Sequence, residues 1–230
     1  MDRPVQIGIP PVNVILRRSA RARRFSLRVS RLDGRVTLSL PDWAAEAEAM
    51  RFARSQEGWI RAALAARPAA QSVRIGGPVA FEGQTLILQP GAVRSVQAAA
   101  GVLMVPQGAG RTGARVRAFL RNAARVRLHE ACTRHARTLG RPFRSLTLRD
   151  TRSRWGSCSA DGRLMFSWRL VMAPPAVLDY VAAHEVAHLA QMNHSPAFWA
   201  EVARLMPGYR VHRHWLREHG QALHVWSFED

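Results

Sequence analysis

The stretch DYVAAHEVAHLAQMNHSPAFW, Asp179 to Trp199, sets three histidines and one glutamate within eleven residues of an otherwise apolar run. On a helix opening near Pro175, the positions Val177, Tyr180 or Val181, His184 and His188 recur at i, i+3/4, i+7 and i+11, so both imidazoles share one inward face, one turn apart. Two nitrogens so placed can hold one metal ion. Glu185 points about 100° around the helix, where a carboxylate reaches a metal's water without ligating the metal. This is the HExxH arrangement, in which zinc lowers the pKa of its water and polarises a carbonyl while the glutamate takes and returns the proton. His194, six residues after His188, is the natural third ligand. It requires the helix to stop near Ala190 or Gln191 and the chain to reverse through Met192-Asn193, where Asn193 tolerates a left-handed conformation. Ser195 and Pro196 then read as the cap and first residue of a new helix, SPAFWAEVARLM.

A lone HExxH fixes only three positions and arises by chance on ordinary helices, whereas His194 followed at once by a helix start is far more restrictive. A buried, unpaired glutamate beside two histidines would also cost several kcal/mol without a metal or partner. A catalytic zinc keeps one coordination position open, and three histidines suit that. A closed structural site would need Cys158, Glu201 or a distal histidine, and Glu201 stands as an alternative third ligand. His212, His214, His219 and His224 read as surface or capping residues. Arg152, Arg154 and Tyr209 are candidates for stabilising an oxyanion.

The elements that must position this cluster follow from periodicity. ARVRAFLRNAARVRLHEACTRHARTLG reads as a long helix with Val116, Phe119, Leu120, Ala123, Ala124 and Val126 inward and Gly140 as its stop. Three strand-like runs follow, 145–150, 153–158 and 163–170, the last two joined by a turn at Asp161-Gly162. Pro174 and Pro175 open the histidine helix. Helix, small sheet, helix makes the C-terminal half α+β. Upstream, residues 12–40 alternate apolar and polar around Asp33-Gly34, which is hairpin patterning. PDWAAEAEAMRFARSQEGWIRAALAARP predicts one helix from an Asp42 cap to Pro68, weakest near Gly58. Residues 72–106 read as several short strands, and Gln107–Ala114 as a linker. The expected organisation is an N-terminal β-rich domain with one helix, 1–110, and a C-terminal domain, 111–230.

With 47% hydrophobic residues over 230 positions, the chain can bury one large or two small cores. No apolar run is long enough for a membrane span, and the start lacks the order of a signal peptide. Two cysteines, Cys132 and Cys158, make no disulfide framework, so a cytoplasmic location is expected. The net charge is +18, and every basic residue is arginine. Such an excess attracts polyanions or acidic partners. It is densest between Arg17 and Arg35, where eight arginines face one acid, Asp33. That block reads either as the solvated face of two strands or as a nucleic-acid patch.

RWGSCSADGRLMFSWRLVMAP from Arg154, followed by DYVAAHEVAHL, NHSPAFW and WLREHG, resembles the YgjP-like zinc metallopeptidases, relatives of the SprT and Wss1-like proteases. RRSARARRFSLRVS, DGRVTLSLP and FARSQEGWI resemble the N-terminal part of that family, so the likeness spans most of the chain. It departs at Phe166-Ser167-Trp168, where relatives often carry an asparagine before the tryptophan. The resemblance implies a zincin-like C-terminal domain, with His184, His188 and His194 as zinc ligands, Glu185 as general base and a protein or peptide substrate. The strand bearing Trp155, Gly156, Ser157 and Cys158 is then a candidate for pairing with substrate backbone; Trp155 and Trp168 read equally as core or cross-strand partners. A second function class is a metal-dependent RNA hydrolase, because YbeY-like endonucleases space three histidines at the same offsets and a basic surface suits RNA. Glu185 separates the two, since a glutamate placed for water activation favours peptide hydrolysis. A third class is a non-catalytic zinc-containing nucleic-acid-binding module.

Overall fold

The alternation in the first forty residues folds as a four-stranded sheet. In a computed structural model, which describes residues 2–30, 33–66, 69–108 and 110–229, strands β1 (Arg3–Ile7), β2 (Val12–Arg18), β3 (Ser26–Val29) and β4 (Val36–Leu40) take the order β1-β2-β4-β3. The expected hairpin is the antiparallel β3–β4 pair, with Leu27 opposite Leu38 and Val29 opposite Val36. β2 instead runs parallel to β4, and β1, whose short RPVQI carries little alternation, was not legible as a strand. The expected single helix is two, α1 (Glu46–Ser55) and α2 (Glu57–Ala65). The break falls at Gln56, not Gly58, and the helical start lies at Glu46 rather than beside Asp42, with Ala45 as the cap. Ala49, Ala53 and Ile60 close this core over Val14, Leu16, Val36 and Leu38. The expected end at Pro68 lies outside the described residues.

The chain gathers into two units, Met1–Ala69 and Ala70–Asp230. The boundary therefore differs from the one placed after residue 110. The reason is packing: Val79, Leu86, Leu88, Leu103 and Val105 share one buried core with the C-terminal helices. Those residues come from β6 (Pro78–Phe81), β7 (Gln84–Gly91) and β9 (Val102–Pro106), which with β8 (Gln97–Ala99) form a second sheet; β5 (Gln71–Ser72) pairs near the chain's end. The expected linker contributes the first turn of α3 (Thr112–Leu139).

α3 buries Val116, Leu120, Ala124, Leu128, Ala131, Cys132, His135 and Ala136 along one stripe and stops at Gly140 with φ +75°. Val126, expected inward, is 44% exposed, because it falls off that stripe by about half a turn. β10 (Ser145–Arg149), β11 (Gly156–Cys158) and β12 (Arg163–Ser167) form a sheet in the order β10-β12-β11, which leaves β11 at an edge. Residues 168–172, expected to extend the last strand, wind into a 3-10 turn that buries Trp168. α4 (Pro175–Ala187) is apolar nearly all round and is accordingly enclosed, packing against α3, β11, α5 (Pro196–Leu205) and α6 (Tyr209–His219). β13 (Trp226–Ser227) runs parallel to β5. The fold is thus α+β, with six α-helices among the described residues. None of them is long and apolar enough to cross a membrane.

Candidate metal centre

His184 and Glu185 lie in the last turn of α4, and His188 is its C-cap residue. The helix ends earlier than expected, at Ala187, and a turn closed by Leu189 N–H to Val186 O and Gln191 N–H to Ala187 O carries the chain away. Asn193 does not use the left-handed conformation it could tolerate. Its side chain makes the reversal instead, with Oδ1 accepting from Ser195 N–H at 3.2 Å, as asparagine does in turns. Ser195 caps α5 by accepting from Phe198 N–H, and Pro196 occupies the first turn, both as expected. This short reversal brings His194 back over the end of α4.

The three imidazoles each offer a nitrogen, and these all lie within 4.8 Å of one another. His184 Nε2 and His194 Nε2 are 3.2 Å apart. Two nitrogens on one tetrahedral zinc, each at about 2.0–2.1 Å, would be about 3.3 Å apart, so this pair is spaced to share such an ion. His188 Nδ1 lies 3.0 Å from the Gln191 carbonyl, which can only accept; Nδ1 therefore carries the proton and Nε2 keeps its lone pair. The His184 ring is fixed by packing: Nδ1 is buried without a hydrogen-bond partner, and the ring sits edge-on to Phe198 and Tyr180. Burial, with the neighbouring histidines, pushes the His184 pKa down to about 3, and burial also lowers that of His188. Both rings are therefore neutral at pH 7, as ligation requires.

Glu185 is only 5% exposed and its side chain lies against β11. There a β-carbon on Gly156 would stand 2.6 Å from its Cγ and Oε1, so the strand can pass only because residue 156 has no side chain. Burial raises the Glu185 pKa to about 8, against an opposing pull from the Arg154 charge. A carboxyl with a pKa near the working pH suits proton exchange, and a divalent cation beside it would favour its charged form.

The other expected contributors are not gathered here. Among the described residues, the metal-capable cluster contains neither Glu201, which is paired with Arg204, nor Cys158, nor the distal histidines. His224 packs on Trp155, with ring centroids 5.0 Å apart, and Trp168 is core beside Phe228. Tyr209 stacks between Trp199 and Tyr180. Two contributors were missed. One is Gly156, quoted only as a strand residue; a glycine in a strand facing the metal helix was the available signal. The other is His135, whose Nε2 donates to Asp179 Oδ1 at 2.8 Å and ties α3 to α4, with Arg134 on the same carboxylate. Burial works against the Asp179 charge, but those two partners more than offset it and hold its pKa below the ordinary value.

Residues 23–219 match the sequence model of the YgjP-like metallopeptidase domain, so the chain belongs to that family. It is a metal-dependent peptidase, a hydrolase. Among solved structures it is similar to the metallopeptidase zymogen abylysin of Pyrococcus abyssi, at 21% identity and a TM-score of 0.36, over 41% of this chain and 93% of that one. No curated protein matches it.

Proposed function

We propose that the protein is a cytoplasmic zinc peptidase that hydrolyses peptide bonds in protein or peptide substrates, with His184, His188 and His194 holding the metal and Glu185 as general base. The observation that carries this reading is the convergence of three imidazole nitrogens, with the buried carboxyl of Glu185 next in the chain to His184. Zinc suits an all-nitrogen set with a position to spare, and when bound it supplies the Lewis acidity that activates a water and polarises a carbonyl.

The remaining steps belong to the chain. Gly156 leaves room for the Glu185 carboxyl to lie against β11, one residue along α4 from His184. Glu185 takes a proton from the attacking water as oxygen adds to the carbonyl carbon. It then gives that proton to the leaving amide nitrogen as the C–N bond breaks. Among the described residues β11 has an unpaired edge in its sheet, which supports the reading that an extended substrate adds there as a further strand. Arg154, whose charge is felt at Glu185, is the candidate for the oxyanion that this reading favours.

The test compares wild type with Glu185→Gln on a peptide library, with zinc measured in both. The expected result is about one zinc per chain in each protein and a fall in hydrolysis by about 10²-fold or more in the variant, the usual contribution of a placed base. Zinc loss in the variant would make Glu185 a ligand, and unchanged hydrolysis would remove it from the chemistry.

A further inference from the structure

Beside the metal centre runs a cleft of about 520 Å³ whose chemistry differs from the rest of the site. One wall is a single face of α6, where Arg210, Arg213, His214 and Arg217 follow i, i+3, i+4 and i+7. The other wall is Trp155 and Tyr180. Both of these abut catalytic positions: Trp155 immediately precedes Gly156, and the Tyr180 ring stands edge-on to His184 at 6.0 Å. Arg213 is tied in from its own side, with its guanidinium 4.4 Å over the Trp199 ring, itself 5.7 Å from His184 and 5.9 Å from His194. A molecule seated in the cleft is therefore within reach of the reacting bond.

The charges on this face have little to answer them. Among the described residues, Arg210 and Arg213 have no carboxylate within ion-pair distance, and Arg217 meets only its exposed neighbour Glu218 at 3.4 Å. Elsewhere in this half of the chain the arginines near acids are paired, as Arg127 with Glu82, Arg134 with Asp179 and Arg169 with Asp150. Like charges three and four residues apart weaken a helix rather than support it. The face gains its stabilising partner only from outside, and the planar guanidinium fork fits a carboxylate with two parallel hydrogen bonds.

We propose that this cleft is a specificity subsite that takes an acidic side chain of the peptide substrate, with Arg210, Arg213 and Arg217 as its recognition residues. The identity of the ligand as a peptide rests on the peptidase reading above. The volume suits a short segment of chain rather than a folded surface, and the aromatic wall supplies apolar contact for the stem of the acidic residue.

The experiment measures binding on the zinc-loaded Glu185→Gln protein, so that it does not depend on turnover. Two dye-labelled peptides are compared, identical except that one carries Asp and Glu where the other carries Asn and Gln. The acidic peptide should bind about tenfold tighter or more at low salt, and Arg210→Gln with Arg217→Gln should bring the two within about twofold. Replacing Arg21, Arg23 and Arg24 by Gln removes at least as much charge from the other unit and should leave the preference in place. Equal binding of the two peptides, a preference indifferent to Arg210 and Arg217, or an equal loss from the Arg21 set would overturn the subsite. A labelled single-stranded RNA that outcompetes the acidic peptide and depends on the same two arginines would do so too. Wild-type hydrolysis is followed in parallel: an acidic preference in binding without any peptide cleavage would defeat the peptidase reading and leave the charge recognition standing.

Discussion

Gly156 and Glu185 are in contact across the gap between β11 and α4, at a distance that excludes any side chain on residue 156. An added β-carbon would lie 2.6 Å from Glu185 Oε1 and 2.8 Å from Cδ, closer than real atoms approach. Because Glu185 is enclosed, it can relieve the clash only by turning away from its present position. Gly156→Ala should therefore retain zinc and fold while losing about 10²-fold or more in peptide hydrolysis, the cost expected of a displaced catalytic group. Metal analysis, circular dichroism and a cleavage assay on the same preparation check this. Full activity in Gly156→Ala would show that the carboxyl's position along the strand is immaterial.

The histidine cluster makes a selective prediction about metal. His194→Ala removes one of three converging nitrogens and should weaken zinc binding by about 10²-fold or more, whereas His212→Ala, outside the cluster, should leave it unchanged. Competition with a fluorescent chelator measures both. Equal losses would mean that the reversal through Asn193 does not serve the metal.

His224 predicts an acid limb of stability. Burial, aided by the Arg169 charge, lowers its pKa from 6.5 to about 4. Between those values the unfolded chain binds a proton that the folded chain refuses, so stability falls as pH falls through that window. His224→Phe keeps a ring against Trp155 and removes the proton site. Urea midpoints should then drop less between pH 6.5 and pH 4.5 in the variant than in wild type. Identical drops would assign the acid limb to other groups.

The basic block of the N-terminal unit makes a test of its own. Arg17 is paired with Asp2, Arg35 with Asp33, and Arg18 donates to the carbonyls of Pro41, Asp42 and Ala44. Arg21, Arg23 and Arg24 are exposed. If these three meet phosphates, nucleic-acid affinity should fall steeply with salt, and their joint neutralisation should flatten the slope by up to about three units. Zinc content should not change. Isotherms at two salt concentrations that show no affinity, or a slope indifferent to the substitutions, would return the block to ordinary solvated surface.

The sequence by itself determined the parts of this protein that depend on neighbours along the chain. The spacing of His184, His188 and His194 and the Ser195-Pro196 cap were legible because helix periodicity and capping are local. The same holds for the glycine stop of α3 and the Asp161-Gly162 turn. The tertiary structure decided what depends on residues far apart in sequence. Nothing local says that β2 pairs parallel with β4, or that the strands of residues 78–106 share a core with α3 and so move the unit boundary to residue 69. Local pattern is equally silent on Gly156 facing Glu185, His135 reaching Asp179, and the arginine face of α6 lying across a cleft from Trp155 and Tyr180. Those contacts arise from burial of apolar surface that has no preferred direction along the chain. The polar groups it carries inward are then paired, enclosed or left facing a partner according to how the elements close.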